Sequence, residues 1–369
     1  MASDTKALDL VTGNTSGSVS PRSIMLVKLQ VSAAALAYIV HRNPGLKSLK
    51  AIGCRNLFQQ ESTTEVVESP TFSYPCKEFY FELGKSCQLE EISLGWGFSL
   101  SYMTAVKPAI AMLRAITLGL GGSLGEEGLT LLPTTCPLLE SVILYFQVIS
   151  DSVVANITET LRHLQVLALC YCFGETSSLS FKCHMPNLRK LKLERVAPWM
   201  NNDDLVILAQ NCTNLIELSL LGCTLLNTES QDIISRGWPG LVSIRLEDCG
   251  EVTISGVTSL FDCSALEDLL LRHNGDGISR NFILDAASKM PMLRKVSLDM
   301  CDSRDGDFDI PTYADRYFLS VVKIARCKLQ RFTLDLQKVE ARRKPVHKET
   351  LLLVWDSKVL TRTVVKERV

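Results

Sequence analysis

The chain has 369 residues, with 39 Lys+Arg against 40 Asp+Glu, a net charge of −1 and 46% hydrophobic residues. So much apolar side chain excludes wholesale disorder, and the balanced charge leaves no electrostatic footprint for nucleic acid or an anionic membrane. Fifty-six residues are leucine, about one in seven, an excess that points to a repeat.

Residues 1–22 are polar (Asn14, Thr15, Ser16, Gly17, Ser18) and are expected to be disordered. No basic stretch leads into an apolar run there, which argues against a secretory leader. Thirteen cysteines, an odd number, exclude a fully paired disulfide framework. Reduced thiols and a place in the cytosol or nucleus are the expectation. The most apolar stretch, Ile24 to Val40, is broken by Lys28, Gln30 and Ser32 and is too interrupted to span a bilayer. Within it, Leu26, Leu29 and Val31 predict a worn repeat strand, and Leu36 and Ile39 a helix running into Pro44.

From residue 46 the pattern L-x-x-L-x-L-x-x-C takes over. Clear instances are Leu164/Leu167/Leu169/Cys172, Leu215/Leu218/Leu220/Cys223 and Leu241/Ile244/Leu246/Cys249. Looser ones are Leu293/Val296/Leu298/Cys301 and Leu319/Val322/Ile324/Cys327. Between anchors 89 and 319 the mean period is about 26 residues, within the range of leucine-rich repeats. The first interval, from 46 to 89, is far longer, and residues 57–77, rich in Ser, Thr, Glu and Pro, predict an inserted surface loop.

A second pattern fixes the same register. Apolar residues 10, 7 and 3 before the anchor recur as Leu129/Leu132/Cys136, Val154/Ile157/Leu161, Leu205/Leu208/Cys212 and Ile283/Ala286/Met290. These spacings share one helical face. A proline two before the anchor (Pro44, Pro137, Pro186, Pro239, Pro291) ends each helix. Each unit therefore reads as a buried strand, a turn and a helix packed back on it. Stacked units form an α/β leucine-rich-repeat solenoid, a horseshoe with a parallel sheet on the concave face and helices on the convex face.

The predicted organisation is a segment 1–22, a solenoid of about 11–12 repeats over 23–327, and a basic cap over 328–369. Beyond residue 327 there are eleven Lys+Arg against five Asp+Glu. The apolar stretches Leu351–Trp355 and Val359–Val365 predict a hairpin there. Ten cysteines take repeated core positions, which leaves Cys76, Cys170 and Cys183 unexplained.

The cysteine-bearing period, with phrases such as Asn211-Cys-Thr-Asn-Leu and Cys136-Pro-Leu-Leu, resembles the leucine-rich repeats of F-box proteins. The resemblance covers residues 44–327 and is similar in kind to the C-terminal portion of plant proteins carrying BTB/POZ and F-box modules. It implies a module that holds a protein target while a separate F-box docks on the Skp adaptor of a cullin ubiquitin ligase. Nothing in residues 1–45 looks like the Leu-Pro-x-Glu opening of an F-box. Skp and cullin contacts are therefore expected only through a region outside this sequence, as in a truncation, a splice form or an incomplete gene model.

In each strand, positions 2, 4 and 6 after the anchor alternate away from the core and line the concave face. One zone presents Ser141, Ile143, Tyr145, Val166, Ala168 and Cys170, with Phe146 and Tyr171 at the strand ends. A charged zone presents Lys190, Lys192, Glu194, Ser243, Arg245, Glu247, Asp268, Leu270, Arg272, Lys295 and Lys323. Exposed apolar side chains mark partner sites and neighbouring charge adds specificity. A protein is thus expected to dock through an apolar anchor near Tyr145 and a polar flank near Arg245, unless a loop such as 57–77 covers the aromatics.

Chemical motifs are weak. Gly121-Gly-Ser-Leu-Gly125 matches a nucleophile elbow around Ser123, but the bases His163, His184, His273 and His347 are scattered over different repeats. Cys170, Cys172, Cys183 and His184 are zinc-ligand types, yet Cys172 is the repeat's core cysteine and Cys170 alternates to the other side of that strand. Asp302, Asp305, Asp307 and Asp309 lack the EF-hand spacing. No catalytic residue, metal or cofactor is assigned. Glu126/Glu127 and Asp203/Asp204 are read as helix starts, where they complement the dipole.

Overall fold

The computed structural model describes residues 22–27, 33–52, 74–86, 88–94, 103–104, 106–119, 124–250, 253–272, 278–279, 281–299, 320–325, 347–356 and 359–368. The chain divides into two compact units, residues 1–188 and 189–369.

In the first unit, β1 (Ser23–Val27), β2 (Ser48–Ile52), β3 (Glu91–Leu94), β4 (Ala115–Leu118), β5 (Ser141–Tyr145) and β6 (Val166–Cys170) pair in chain order, all parallel. Equivalent repeat positions meet in register, so Val142 faces Leu167 and Leu144 faces Leu169. All four side chains are fully buried. Between the strands run α1 (Ala33–Arg42), α2 (Tyr74–Ser86), α3 (Lys107–Ile110), α4 (Gly125–Thr135) and α5 (Asp151–Thr160). Their predicted apolar stripes face inward: Leu129, Leu132 and Cys136, then Val154, Ile157 and Leu161, lie at 2% exposure or less. Fully burying one such leucine is worth about 1.5–3 kcal/mol.

In the second unit, β7 (Lys190–Glu194), β8 (Glu217–Leu221), β9 (Ser243–Glu247), β10 (Asp268–Arg272), β11 (Lys295–Asp299) and β12 (Ser320–Ala325) form a second parallel ladder. The helices here are α6 (Asn202–Asn211), α7 (Ser230–Gly237), α8 (Ile254–Ser259) and α9 (Phe282–Lys289). α6 starts on a capping box in which the Asn201 side chain accepts from Asp204 N while the Asp204 carboxylate accepts from Asn201 N. β13 (His347–Asp356) and β14 (Val359–Arg368) form an antiparallel hairpin, and β13 pairs with β12. The chain is thus a leucine-rich-repeat solenoid with parallel strands and helices in alternation.

The cysteines and prolines do more than fill space. In successive repeats the residue three before the anchor accepts a bond from the anchor amide: Leu139 N to Cys136 O, Leu188 N to Met185 O, Leu241 N to Trp238 O and Leu293 N to Met290 O. The proline is then the second residue of that turn, where its fixed φ fits. Carbonyls three before the anchor also receive side chains from the following repeat: Trp238 Nε1 donates to Cys212 O at 2.6 Å, and Cys263 Sγ to Trp238 O at 3.8 Å. Cysteines eight after the anchor form a second ladder, with Cys172 Sγ on Leu144 O at 3.5 Å and Cys249 Sγ on Leu220 O at 3.3 Å. In the fifth strand's repeat Gln147 replaces that cysteine; it is fully buried, accepts from Leu124 N and donates to Tyr145 O.

Three expectations need correction. The first strand is Ser23–Val27, where Ile24 pairs with Leu49 and Leu26 with Ala51, instead of the Leu26/Leu29/Val31 register. Because α1 begins at Ala33, a strand running to Val31 would leave too few residues for the strand-to-helix turn. The segment 57–77 ends inside α2, which starts at Tyr74; residues 53–73 lie outside the described residues. The repeat after β6 carries a single 3₁₀ turn, Ser178–Phe181, in place of a helix. There Asp151 of α5 accepts from Ser177 N at 2.7 Å, Ser177 Oγ at 2.6 Å and Ser180 Oγ at 2.5 Å. Such side-chain bonds offer the backbone an alternative to helix.

Candidate functional site

One backbone position recurs at the end of the strands. Seven residues after the anchor the chain turns through the left-handed region, at Phe146 (φ 56°), Tyr171 (φ 53°), Arg195 (φ 58°), Gly222 (φ 84°) and Asp248 (φ 50°). Glycine and aspartate suit this conformation, whereas a bulky side chain there is a genuine outlier costing on the order of 1 kcal/mol or more. The first unit nevertheless puts aromatics at two successive corners.

Phe146 and Tyr171 are 37% and 40% exposed, and their rings stack with centroids 5.7 Å apart and planes 16° apart. Two residues further on, Val148 and Phe173 form an isolated parallel bridge and stand 47% and 59% exposed. Phe173 N donates to Gln147 O and Ile149 N to Phe173 O, both at 2.8 Å. These two exposed apolar pairs make a ledge beside the strand ends. Beside it Ile143, Tyr145 and Val166 are half-buried on the helix-free face of the sheet. Ala168 and Cys170, expected to line that face openly, are buried at 4% and 0%. They are small, and in register with them stand the larger Ile143 and Tyr145. Val148 and Phe173 were not anticipated; their signal is an apolar residue just past the corner, where turns usually carry polar ones.

The charged zone lies in the second unit. Its side chains are paired with one another: Lys190 with Glu217 at 2.6 Å, Lys192 with Glu194 at 2.8 Å and Arg245 with Glu247 at 3.8 Å. Arg195 lies over Gly222 and reaches Asp248 two repeats on, at 2.7 Å. A partner on this face would exchange pairs rather than meet unsatisfied charge. The Arg272 side chain, like Lys323, lies outside the described residues.

The thiols are set by burial. Desolvation pushes Cys136 up to about 12 and Cys263 up to about 11. The neighbouring Cys249 sulfur, and then burial, raise the Cys223 thiol well above the usual range. Cys172 and Cys183 are also raised, chiefly by burial. For Asp151 burial raises the carboxyl, but the Ser177 and Ser180 bonds outweigh it and hold it below the ordinary carboxylate value. Among the described residues no three His, Cys, Asp or Glu side chains converge as a metal site, so Cys170, Cys172, Cys183 and His184 do not form one. No helix among them is long and apolar enough to cross a membrane. Ser123, His273 and the Asp302–Asp309 run lie outside the described residues, whereas His163 and His184 are exposed.

Strand register, sulfur ladders and corner turns together define a leucine-rich-repeat protein of the cysteine-containing kind. Over 367 residues the chain is 51% identical to BTB/POZ domain-containing protein FBL11 of Arabidopsis thaliana, a match covering 99% of this chain and 38% of that protein. The chain therefore spans well under half the length of that relative. The kinship with the repeat regions of F-box/LRR proteins, read from the cysteine-bearing period, holds. Yeast Rad7, solved in complex with Elc1, has a similar fold, with a TM-score of 0.53 at 18% identity over 79% of this chain and 71% of that one. No family model matches.

Proposed function

We propose that these residues are the target-binding repeat region of an SCF-type, cullin-RING ubiquitin-ligase receptor in ubiquitin-dependent protein degradation. The work of the chain is positioning: it holds a protein while a ubiquitin carrier elsewhere in the assembly reaches that protein's lysines, and it performs no bond chemistry itself. The Skp adaptor and cullin are contacted by a part of the longer protein, in the cytosol or nucleus. Ile143, Tyr145, Phe146, Val166 and Tyr171 carry the apolar anchor; Lys190, Lys192, Arg245, Glu247 and Arg272 carry polar contacts. The observation behind this reading is the stacked Phe146–Tyr171 pair, exposed at corners where each aromatic costs stability. Strain of that kind is retained where function needs it.

The test is the double variant Phe146→Gly/Tyr171→Gly in the full natural protein. Glycine fits the left-handed corner, so thermal unfolding is expected to stay level or rise. Quantitative mass spectrometry of the purified assembly should show the target lost and the Skp adaptor and cullin retained. Targets captured equally by the variant would remove the ledge from the site. Absence of adaptor and cullin from both samples would leave a stand-alone scaffold or inhibitor in place of a ligase receptor.

A further inference from the structure

The docking reading of the ledge leaves the chemistry of its occupant open, and the charges tied to the same turns narrow it. Two residues past Val148, Ser150 Oγ donates to the exposed Glu126 carboxylate, and Ser152 Oγ donates to the same oxygen at 3.3 Å. Two residues past Phe173 stands Glu175, also exposed. It follows Gly174, where a Cβ would lie 2.1 Å from Ile149 O, so the two turns pack closely there. The Asp151 carboxylate joins them again through its bonds from Ser177 and Ser180. Three carboxylates thus border the exposed rings, and serine donors leave their charge in place. Among the described residues no Lys, Arg or His pairs with any of the three. The sequence has no Lys or Arg over 115–161 or 163–181. The cations that bracket those stretches lie elsewhere. Arg114 pairs with Glu140 at the strand starts. Arg162 follows the C-terminal end of α5, about 15 Å from Asp151 at its start. Lys182 adjoins Cys183, which lies in the field of Glu159 and Arg162 at that same end. At the equivalent corner of the second unit, Arg195 is held by Asp248.

We propose that this ledge takes a basic segment of a partner protein, in which one large aliphatic or aromatic side chain is flanked by Lys or Arg. The proposal rests on the ledge being the docking surface. Phe146, Val148, Tyr171 and Phe173 supply the apolar contact, and Glu126, Asp151 and Glu175 supply the charge that selects. Glu126 and Asp151 are already fixed by serine donors, so a cation meets carboxylates that need little ordering. An acidic segment would bring carboxylate against carboxylate with no cation to relieve it. A second copy meeting the first ledge to ledge would do the same, since each brings those three carboxylates.

The test uses a phage-displayed library of random twelve-residue peptides selected on the full chain. The strongest peptide is then measured by fluorescence anisotropy, unchanged and with its basic residues changed to Ala. Both forms are titrated on wild type, on Phe146→Gly/Tyr171→Gly and on Glu126→Gln/Glu175→Gln. The expected consensus is a large apolar residue with Lys or Arg beside it. Affinity should fall about tenfold with the Ala peptide or on the Gln variant, as two ion pairs are lost, and further on the Gly variant. Rising salt should weaken the unchanged peptide and spare the Ala form. Neutral or acidic peptides that depend on Phe146 and Tyr171 would overturn the proposal and leave the site standing, as would basic peptides that bind the Gln variant as tightly as wild type. Peptides of any charge that bind the Gly variant equally would overturn the site itself. An empty selection, or self-association in sedimentation that the Gly variant abolishes, would overturn the proposal as well.

Discussion

Gly250 offers the sharpest test of the repeat geometry. Its φ is +50°, and a Cβ built on it would lie 1.5 Å from the Leu226 carbonyl oxygen of the preceding repeat. Two other glycines of the same unit separate the contributions. At Gly222 φ is +84°, and the nearest obstacle is the movable Arg195 side chain at 3.0 Å; at Gly240 there is nothing within 4 Å and no left-handed φ. Gly240→Ala is expected within about 0.5 kcal/mol of wild type, with any change a gain from narrowing the unfolded ensemble. Gly222→Ala should cost about 1–2 kcal/mol, the strain of a side chain at that φ. Gly250→Ala adds a backbone collision that cannot rotate away, and should cost about 3–4 kcal/mol. Urea unfolding followed by tryptophan fluorescence reads all three, since Trp238 of this unit is buried to 1% exposure. The slope m should stay constant while the midpoints fall in that order. Equal midpoints for Gly250→Ala and Gly240→Ala would refute the reasoning, because the close approach of the two repeats would then not exist.

Other consequences can be measured alongside. Asp151→Asn should lose about 2 kcal/mol near pH 7, as a charge-assisted acceptor of three donors becomes neutral. Because the folded carboxyl lies below its unfolded value, that difference is complete above the unfolded pKa of about 3.9 and shrinks as pH falls through the folded one; a gap unchanged down to pH 2 would contradict the assignment. Trp238→Phe removes the indole donor to Cys212 O and should cost about 1–3 kcal/mol in thermal or urea unfolding; an unchanged midpoint would show the bond contributes nothing. With pKa values near 12 and 11, Cys136 and Cys263 should resist alkylation at pH 8 and react only on unfolding. Site-resolved mass spectrometry showing rapid native labelling would count against their burial.

Most of the scaffold was legible because its physics repeats. A leucine at one anchor demands an apolar residue three and five places on, and a helical stripe before it. Leu205, Leu208, Leu215, Leu218 and Leu220 therefore announced both elements and register. The first strand was misread where the pattern thins to Ile24 and Leu26, with no leucine anchor to hold it. The missing helix after β6 was hidden because two serines, Ser177 and Ser180, bond to an aspartate of the preceding repeat, and no period records that. The ledge was half visible: Tyr145, Phe146 and Tyr171 stood out as aromatics, but nothing in a phenylalanine or tyrosine signals a positive φ. The clue lay in the equivalent positions, Gly222 and Asp248, which are at home there. Burial of Ala168 and Cys170 depended on the size of their cross-strand neighbours, and the pairing of Lys190, Lys192 and Arg245 on carboxylates that alternation alone could not match to them.

The corner turn also bears on how such an array could be rebuilt. An engineer averaging these repeats into an ideal unit would write glycine or asparagine at every corner and would obtain a sturdier rod. That rod would have lost the two places where the chain accepts discomfort to hold a flat ring in water. Under the docking role proposed for these rings, stability optimisation and recognition pull in opposite directions at positions 146 and 171, and at those two residues a gain in melting temperature should be read as a warning that the surface has gone silent.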